Sequence, residues 1–155
     1  MLPTQVPVVE GVWTERDDGP HLNASRCLDC GTYAFPAQPG CQRCAGVSSE
    51  PTLLGNRGTL WTWTIQGFPP KAPPYRGNAD PATFVPFGVG YVEIPGQLKV
   101  EARLTEADPS RLHIGMDLEM VLEPIGTDAD GNHIVTFAFR PVTDTGPVPT
   151  SEQGA

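Results

Sequence analysis

A chain of 155 residues with 17 Gly and 18 Pro fits one domain plus a small appendage and is broken too often for long helices. Its formal net charge is −8, and the excess sits late: residues 1–92 carry six basic and seven acidic side chains, residues 93–155 four and eleven. An acidic half of this kind lacks the clustered Lys and Arg that neutralise phosphates and release counterions, which argues against non-specific nucleic-acid binding.

The N-terminus, MLPTQVPVVEGVWTERDDG, has no basic start followed by an apolar run, so it does not read as a signal peptide. No later stretch approaches the roughly 20 apolar residues of a membrane span. The expectation is a soluble cytoplasmic protein with no membrane attachment. Residues 1–20 place Val12 and Trp13 ahead of an Asp17-Asp18-Gly19-Pro20 turn and read as an arm or a short helix.

Residues 21–50 hold every cysteine, in CLDCGTYAFPAQPGCQRC: two Cys-x-x-Cys pairs, Cys27 with Cys30 and Cys41 with Cys44, separated by ten residues. Disulfides are rare in a reducing compartment. The spacing matches a four-cysteine zinc site, in which each Cys-x-x-Cys turn points two sulfurs to one side. Gly31 follows the first pair and supplies positive φ where the backbone amides must face the sulfurs, whereas Ala45 follows the second and Gly46 comes one residue late. An iron centre of rubredoxin type uses the same ligands, and a redox Cys pair is a further alternative. Four sulfurs leave no open coordination position, which points to a closed, structural zinc ribbon.

From residue 51 to 142 the pattern turns to period two. TLWTWTIQ (59–66) puts Trp61, Trp63 and Ile65 on one face and Thr62 and Thr64 on the other. FGVGYVEI (87–94) and LKVEARL (98–104) are joined by Pro95-Gly96, and Leu98, Val100, Ala102 and Leu104 share a face. DLEMVL (117–122) offers Leu118, Met120 and Leu122, and HIVTFAFR (133–140) offers Val135, Phe137 and Phe139. Between the third and fourth of these, Asp108-Pro109 and Gly115 bracket one or two helical turns. Five strands with a helical link in that place predict an OB-fold barrel, with other small barrels or sandwiches as competitors, and hence a mainly β protein. The link between the first two strands, residues 66–87, is long and Pro-rich, which marks it as a surface cover or a docking loop. The tail at 143–155 has little to bury and reads as disordered.

Catalytic signatures are missing from the sequence. His21, His113 and His133 fall on separate elements, and there is no Gly-x-Ser-x-Gly elbow, phosphate loop or His-Glu-x-x-His. The order of features is more informative. A Trp-bearing arm, then RCLDCGTYAFPAQPGCQRC, GTLWTWTIQ with its Pro-rich loop, FVPFGVGYVEI, LHIGMDLEMVL and HIVTFAFRPV resembles the DUF35 family over roughly residues 12–142.

That resemblance implies a rubredoxin-like zinc ribbon fused to an OB-fold, acting as partner to thiolase-fold enzymes or hydratases on acyl-CoA substrates, one actinobacterial branch serving a steroid side-chain aldolase. The implied function is a non-catalytic subunit with one zinc on Cys27, Cys30, Cys41 and Cys44, in a hetero-oligomer of two of each chain, needed for assembly, solubility and acyl-CoA binding. Lys71 and Arg76 are the cations of the 66–87 loop and the candidates for acyl-CoA contact. Tyr33 and Phe35 on the ribbon, with Phe68, Tyr75 and Phe84 on the loop, are the candidate docking anchors. Two other classes compete: an accessory subunit of an acyl-CoA hydratase, whose family members carry more chain than this, and a single-stranded nucleic-acid-binding ribbon–OB protein stacking bases on Trp61 and Trp63.

Overall fold

The computed structural model describes residues 4–71 and 75–142. They form ten strands: β1 (Gln5–Pro7), β2 (Trp13–Arg16), β3 (Gly19–Cys27), β4 (Tyr33–Ala34), β5 (Ser49–Leu53), β6 (Arg57–Gln66), β7 (Phe87–Ile94), β8 (Leu98–Leu104), β9 (Asp117–Thr127) and β10 (His133–Pro141). A single 3-10 turn, Pro109–Arg111, separates β8 from β9 and is capped by the Asp108 carboxylate, which accepts from the Ser110 amide. No helix among the described residues is long and apolar enough to cross a membrane.

The five expected barrel strands are β6 to β10. β6, β7 and β8 form an antiparallel meander, β10 joins β8 in parallel, and β9 pairs with both β10 and the start of β6. The ring closes, so the barrel presents no long free edge and the backbone groups of the sheet find partners inside it. Closure is thin at one place: β8 and β10 share only the pairs Arg103 with Ala138 and Leu104 with Phe139.

Residues ahead of the barrel are extended. β1 pairs in parallel with the start of β10 through Gln5–His133, Val6–Ile134 and Pro7–Val135, on the edge that β8 takes further along, and β2 hairpins onto β3. β3 is the spine of the N-terminal part, carrying β4 and β5 as well. Its inward residues, Leu22 and Ala24, join Leu54 and the barrel residues Leu60, Val92, Ile94, Val100, Leu118, Met120 and Phe139 in a single apolar cluster. Each of the buried Leu, Ile, Val, Met and Phe side chains among these contributes roughly 1.5–3 kcal/mol of transfer free energy, so ribbon and barrel are held by one core.

One strand departs from its expected phase. Trp61 does not share a face with Trp63 and Ile65; the β6–β7 register slips between Leu60 and Thr62, and Trp61 is left without a partner. The core-side positions become Leu60, Trp63 and Ile65, and Trp61 turns outward, 50 % exposed. Gly90 across the ladder permits this, since a Cβ there would lie 2.8 Å from the Thr62 carbonyl oxygen. A two-against-one bulge of this kind flips the pleat for every residue on one side of it.

Candidate metal centre and contact surfaces

The two cysteine turns are built alike. In the first, the Cys27 amide donates to the Thr32 carbonyl at 2.8 Å and the Gly31 amide to the Cys27 carbonyl at 2.9 Å. In the second, the Cys41 amide donates to the Gly46 carbonyl at 2.8 Å and the Ala45 amide to the Cys41 carbonyl at 2.9 Å. The position after each pair is left-handed, with φ 79° at Gly31 and 62° at Ala45. Ala45 therefore occupies the conformation that the sequence suggested for the later glycine. At Gly46 the space is tight: a Cβ there would displace the Asp29 carboxylate and lie 3.2 Å from Cys44 Sγ.

The four sulfurs converge. Cys27 Sγ lies 3.6 Å from Cys44 Sγ, Cys30 Sγ lies 3.5 Å from Cys41 Sγ, and all four fall within 4.8 Å of one another. A tetrahedron with metal–sulfur bonds of about 2.3 Å has sulfur–sulfur edges of about 3.8 Å. Backbone amides aim at the cluster: Arg43 and Cys44 toward Cys41 Sγ at 3.4 and 3.5 Å, and Gly46 toward Cys44 Sγ at 3.4 Å. Such dipoles favour thiolate over thiol.

The electrostatics of the four thiols call for a positive charge among them. The Thr32 hydroxyl, 3.1 Å from Cys30 Sγ, and the Thr32 amide bring Cys30 down to about 6. The Cys44 and Arg43 amides lower Cys41. Cys44 is pushed up to about 12, because the pull of the Gly46 amide is outweighed by Cys30 and Cys27 beside it. Sulfurs this close cannot all become anions without a cation between them, and a divalent ion supplies that charge. The donor set, spacing and amides fit a structural zinc, and four sulfurs leave no position for a reacting water.

The other candidates lie apart from this centre. Lys71 is exposed, and so is Arg76, whose positive charge lowers the Asp128 carboxyl, after the Asn132 and Asp130 hydrogen bonds have done most of that. Tyr33 and Phe35 are half-buried against the common core, Phe35 edge-on to Phe137 at 5.9 Å and Tyr33 beneath the Arg26 guanidinium at 5.5 Å. Tyr75 stacks on Phe87 at 6.4 Å, and Phe84 meets the same ring at 6.0 Å. Among the five anchors, Phe68 is the one that projects, 64 % exposed.

Two features went unread in the sequence. The first is the outward patch of Trp61, Tyr91 and Lys99, hidden by the bulge. The second is the set of contacts by which the loop, expected as a surface cover or a docking element, settles on the barrel: Tyr75 and Phe84 on Phe87, and Phe87 under Arg103. Arg103 stacks 3.9 Å over Phe87 while its guanidinium pairs with Glu123 at 2.7 Å. The β7–β8 face, which an OB barrel offers to single-stranded nucleic acid, is thus partly filled by the loop's own rings.

The family model described as the C-terminal OB-fold domain of ChsH2 matches residues 52–123. The benzoylsuccinyl-CoA thiolase subunit BbsA of Thauera aromatica is 27 % identical over 123 residues, covering 79 % of this chain and 78 % of that protein. A DUF35 domain-containing scaffold protein of Pyrococcus furiosus is 28 % identical over 135 residues, covering 86 % and 93 %. Among solved structures, a chain of the Ltp2-ChsH2(DUF35) aldolase superimposes with a TM-score of 0.57 at 22 % identity, covering 79 % of this chain and 86 % of that one. With four converging thiols and a closed five-stranded barrel, the chain is similar to DUF35 proteins in sequence and in fold.

Proposed function

We propose that this chain is the non-catalytic partner subunit of a thiolase-like enzyme acting on acyl-CoA. The observation that carries this reading is the match to a thiolase subunit and to scaffold proteins over about four-fifths of this chain. The site chemistry agrees: the one group of metal-binding side chains found among the described residues is a closed four-sulfur cage. In this reading zinc on Cys27, Cys30, Cys41 and Cys44 fixes the ribbon, and the mate supplies nucleophile and acid–base groups. Lys71 and Arg76 stand toward the CoA phosphates, and the loop carrying Phe68 contributes to docking. A steroid side-chain substrate, a cytoplasmic location and a complex of two of each chain complete the proposal.

The test is affinity purification from the native host, identification of co-purifying proteins by mass spectrometry, and co-expression with any thiolase-like enzyme found. The expected result is co-elution and an enzyme that is insoluble or inactive alone. An enzyme that works equally well without this chain and never co-elutes with it overturns the reading. Lys71→Ala with Arg76→Ala should raise the complex's KM for acyl-CoA, and an unchanged KM removes both residues from the site.

A further inference from the structure

The bulge in β6 turns an indole outward, half of it in water. Trp61 is 50 % exposed, and Tyr91 beside it is 40 % exposed. Their rings stand edge to face at 6.2 Å, and the Lys99 ammonium lies 4.7 Å over the indole. All three side chains spring from adjacent strands of the closed ring, β6, β7 and β8, so little ordering is left to pay on contact. Register sets acidic neighbours around them: Glu93 opposite Lys99, and Glu101 opposite Tyr91. Neither Glu93 nor Glu101 forms an ion pair among the described residues.

From this geometry we infer that the Trp61–Tyr91–Lys99 face is where the enzyme subunit docks, presenting an apolar socket for the indole with Arg or Lys at its rim. This rests on the partner reading above. Trp and Tyr on a rigid support are the residue types that dominate interface energies, and the acidic ring steers a basic rim toward them. A second copy of this chain is the weaker occupant, because each copy carries net charge −8 and would bring the same Glu93 and Glu101 to the contact. Other exposed apolar side chains, such as Leu28 and Val47, are aliphatic, and Phe68 lies at the start of the long loop.

The experiment uses full-length, zinc-loaded protein and the purified enzyme found by co-purification, with binding followed by surface plasmon resonance at two salt concentrations. Trp61→Ala should raise Kd by about 30-fold or more, the range of interface hot spots. Glu93→Lys with Glu101→Lys, which touches no core residue, should slow association several-fold at low salt and reduce its salt dependence. Both variants should keep wild-type metal content and thermal midpoint; if Trp61→Ala does not, the charge-reversed variant decides alone. Wild-type protein that binds the enzyme while both variants bind with unchanged Kd overturns this inference and leaves the partner reading standing. Wild-type protein that binds no thiolase-like enzyme overturns both. Self-association of the wild type that is lost in Trp61→Ala replaces the heterologous partner by a second copy and also overturns it.

Discussion

Ala45 is a residue in the wrong conformation for its chemistry. A left-handed backbone costs an L-residue with a Cβ roughly 1–2 kcal/mol, while introducing glycine costs about 0.4–1 kcal/mol through the freer unfolded chain. Ala45→Gly is therefore expected to stabilise the metal-loaded protein by about 0.5–1 kcal/mol in urea denaturation, and a loss of stability would show that the φ of 62° is not strained. His21 is a second single-residue device. Its Nε2 donates to Asp18 at 2.8 Å and its Nδ1 to the Leu54 carbonyl at 2.7 Å, an arrangement that needs both protons. Burial disfavours the charged ring, but the Asp18 and Leu54 bonds outweigh it and raise the His21 pKa above 6.5. The stability from this pair is fully present below pH 6.5 and is lost as pH rises through the raised value. Asp18 is lowered by the His21 bond, so its own contribution is present above 3.8 and fades as pH falls through the lowered value. The thermal midpoint should fall on going from pH 6 to pH 8.5 in the wild type and change less in His21→Gln; equal slopes would remove the pair from the account.

At the level of elements, the ribbon meets the barrel on β10 at Phe137, in the seam between the β1 pairs at 133–135 and the β8 pairs at 138–139. Phe35 packs edge-on to Phe137 there, so Phe137→Ala should cost about 2–3 kcal/mol, below the 3–5 of a fully buried Phe. A cost under 1 kcal/mol by denaturant unfolding would mean the seam is held by backbone alone. The barrel strands were legible because one buried face imposes alternation, and the cage was legible because its spacing is set by metal geometry. What was hidden depended on distant partners. The Trp61 bulge is licensed by Gly90 on the neighbouring strand, which no window around Trp61 contains. β1 is three residues long and exists through its pairing with β10. β3 buries Leu22, Ala24, Ser25 and Cys27, a mixed face without clean alternation, because ribbon and barrel cover different stretches of it. The expected tail at 143–155 lies outside the described residues.

For the whole molecule, one core means that the metal acts beyond the ribbon. Removing zinc with a strong chelator should lower the thermal midpoint by about 10 °C or more, since metal binding and folding are coupled and each kcal/mol moves a chain of this size by about 2–4 °C. Hydrogen exchange should then quicken in β3 to β5 and also along β10 near Phe137. Quickening confined to residues 21–50 would show two independent units. Cys30→Ser should lose metal by elemental analysis, and stoichiometric iron in the wild type would replace zinc as the resident ion.

The path of β3 has a consequence for how such chains can be exchanged. One end of the strand is Cys27 in the sulfur cage, and toward the other Leu22 is wholly buried beneath the barrel. The break expected between residues 50 and 51 falls inside β5, which bonds to β3 from Asn23 to Cys27. A graft made there would divide a strand and set Leu22 and Leu54 against a foreign interior. Ribbon and barrel are thus one packing unit, and a chimera between relatives joined at that point should show a lower thermal midpoint than either parent.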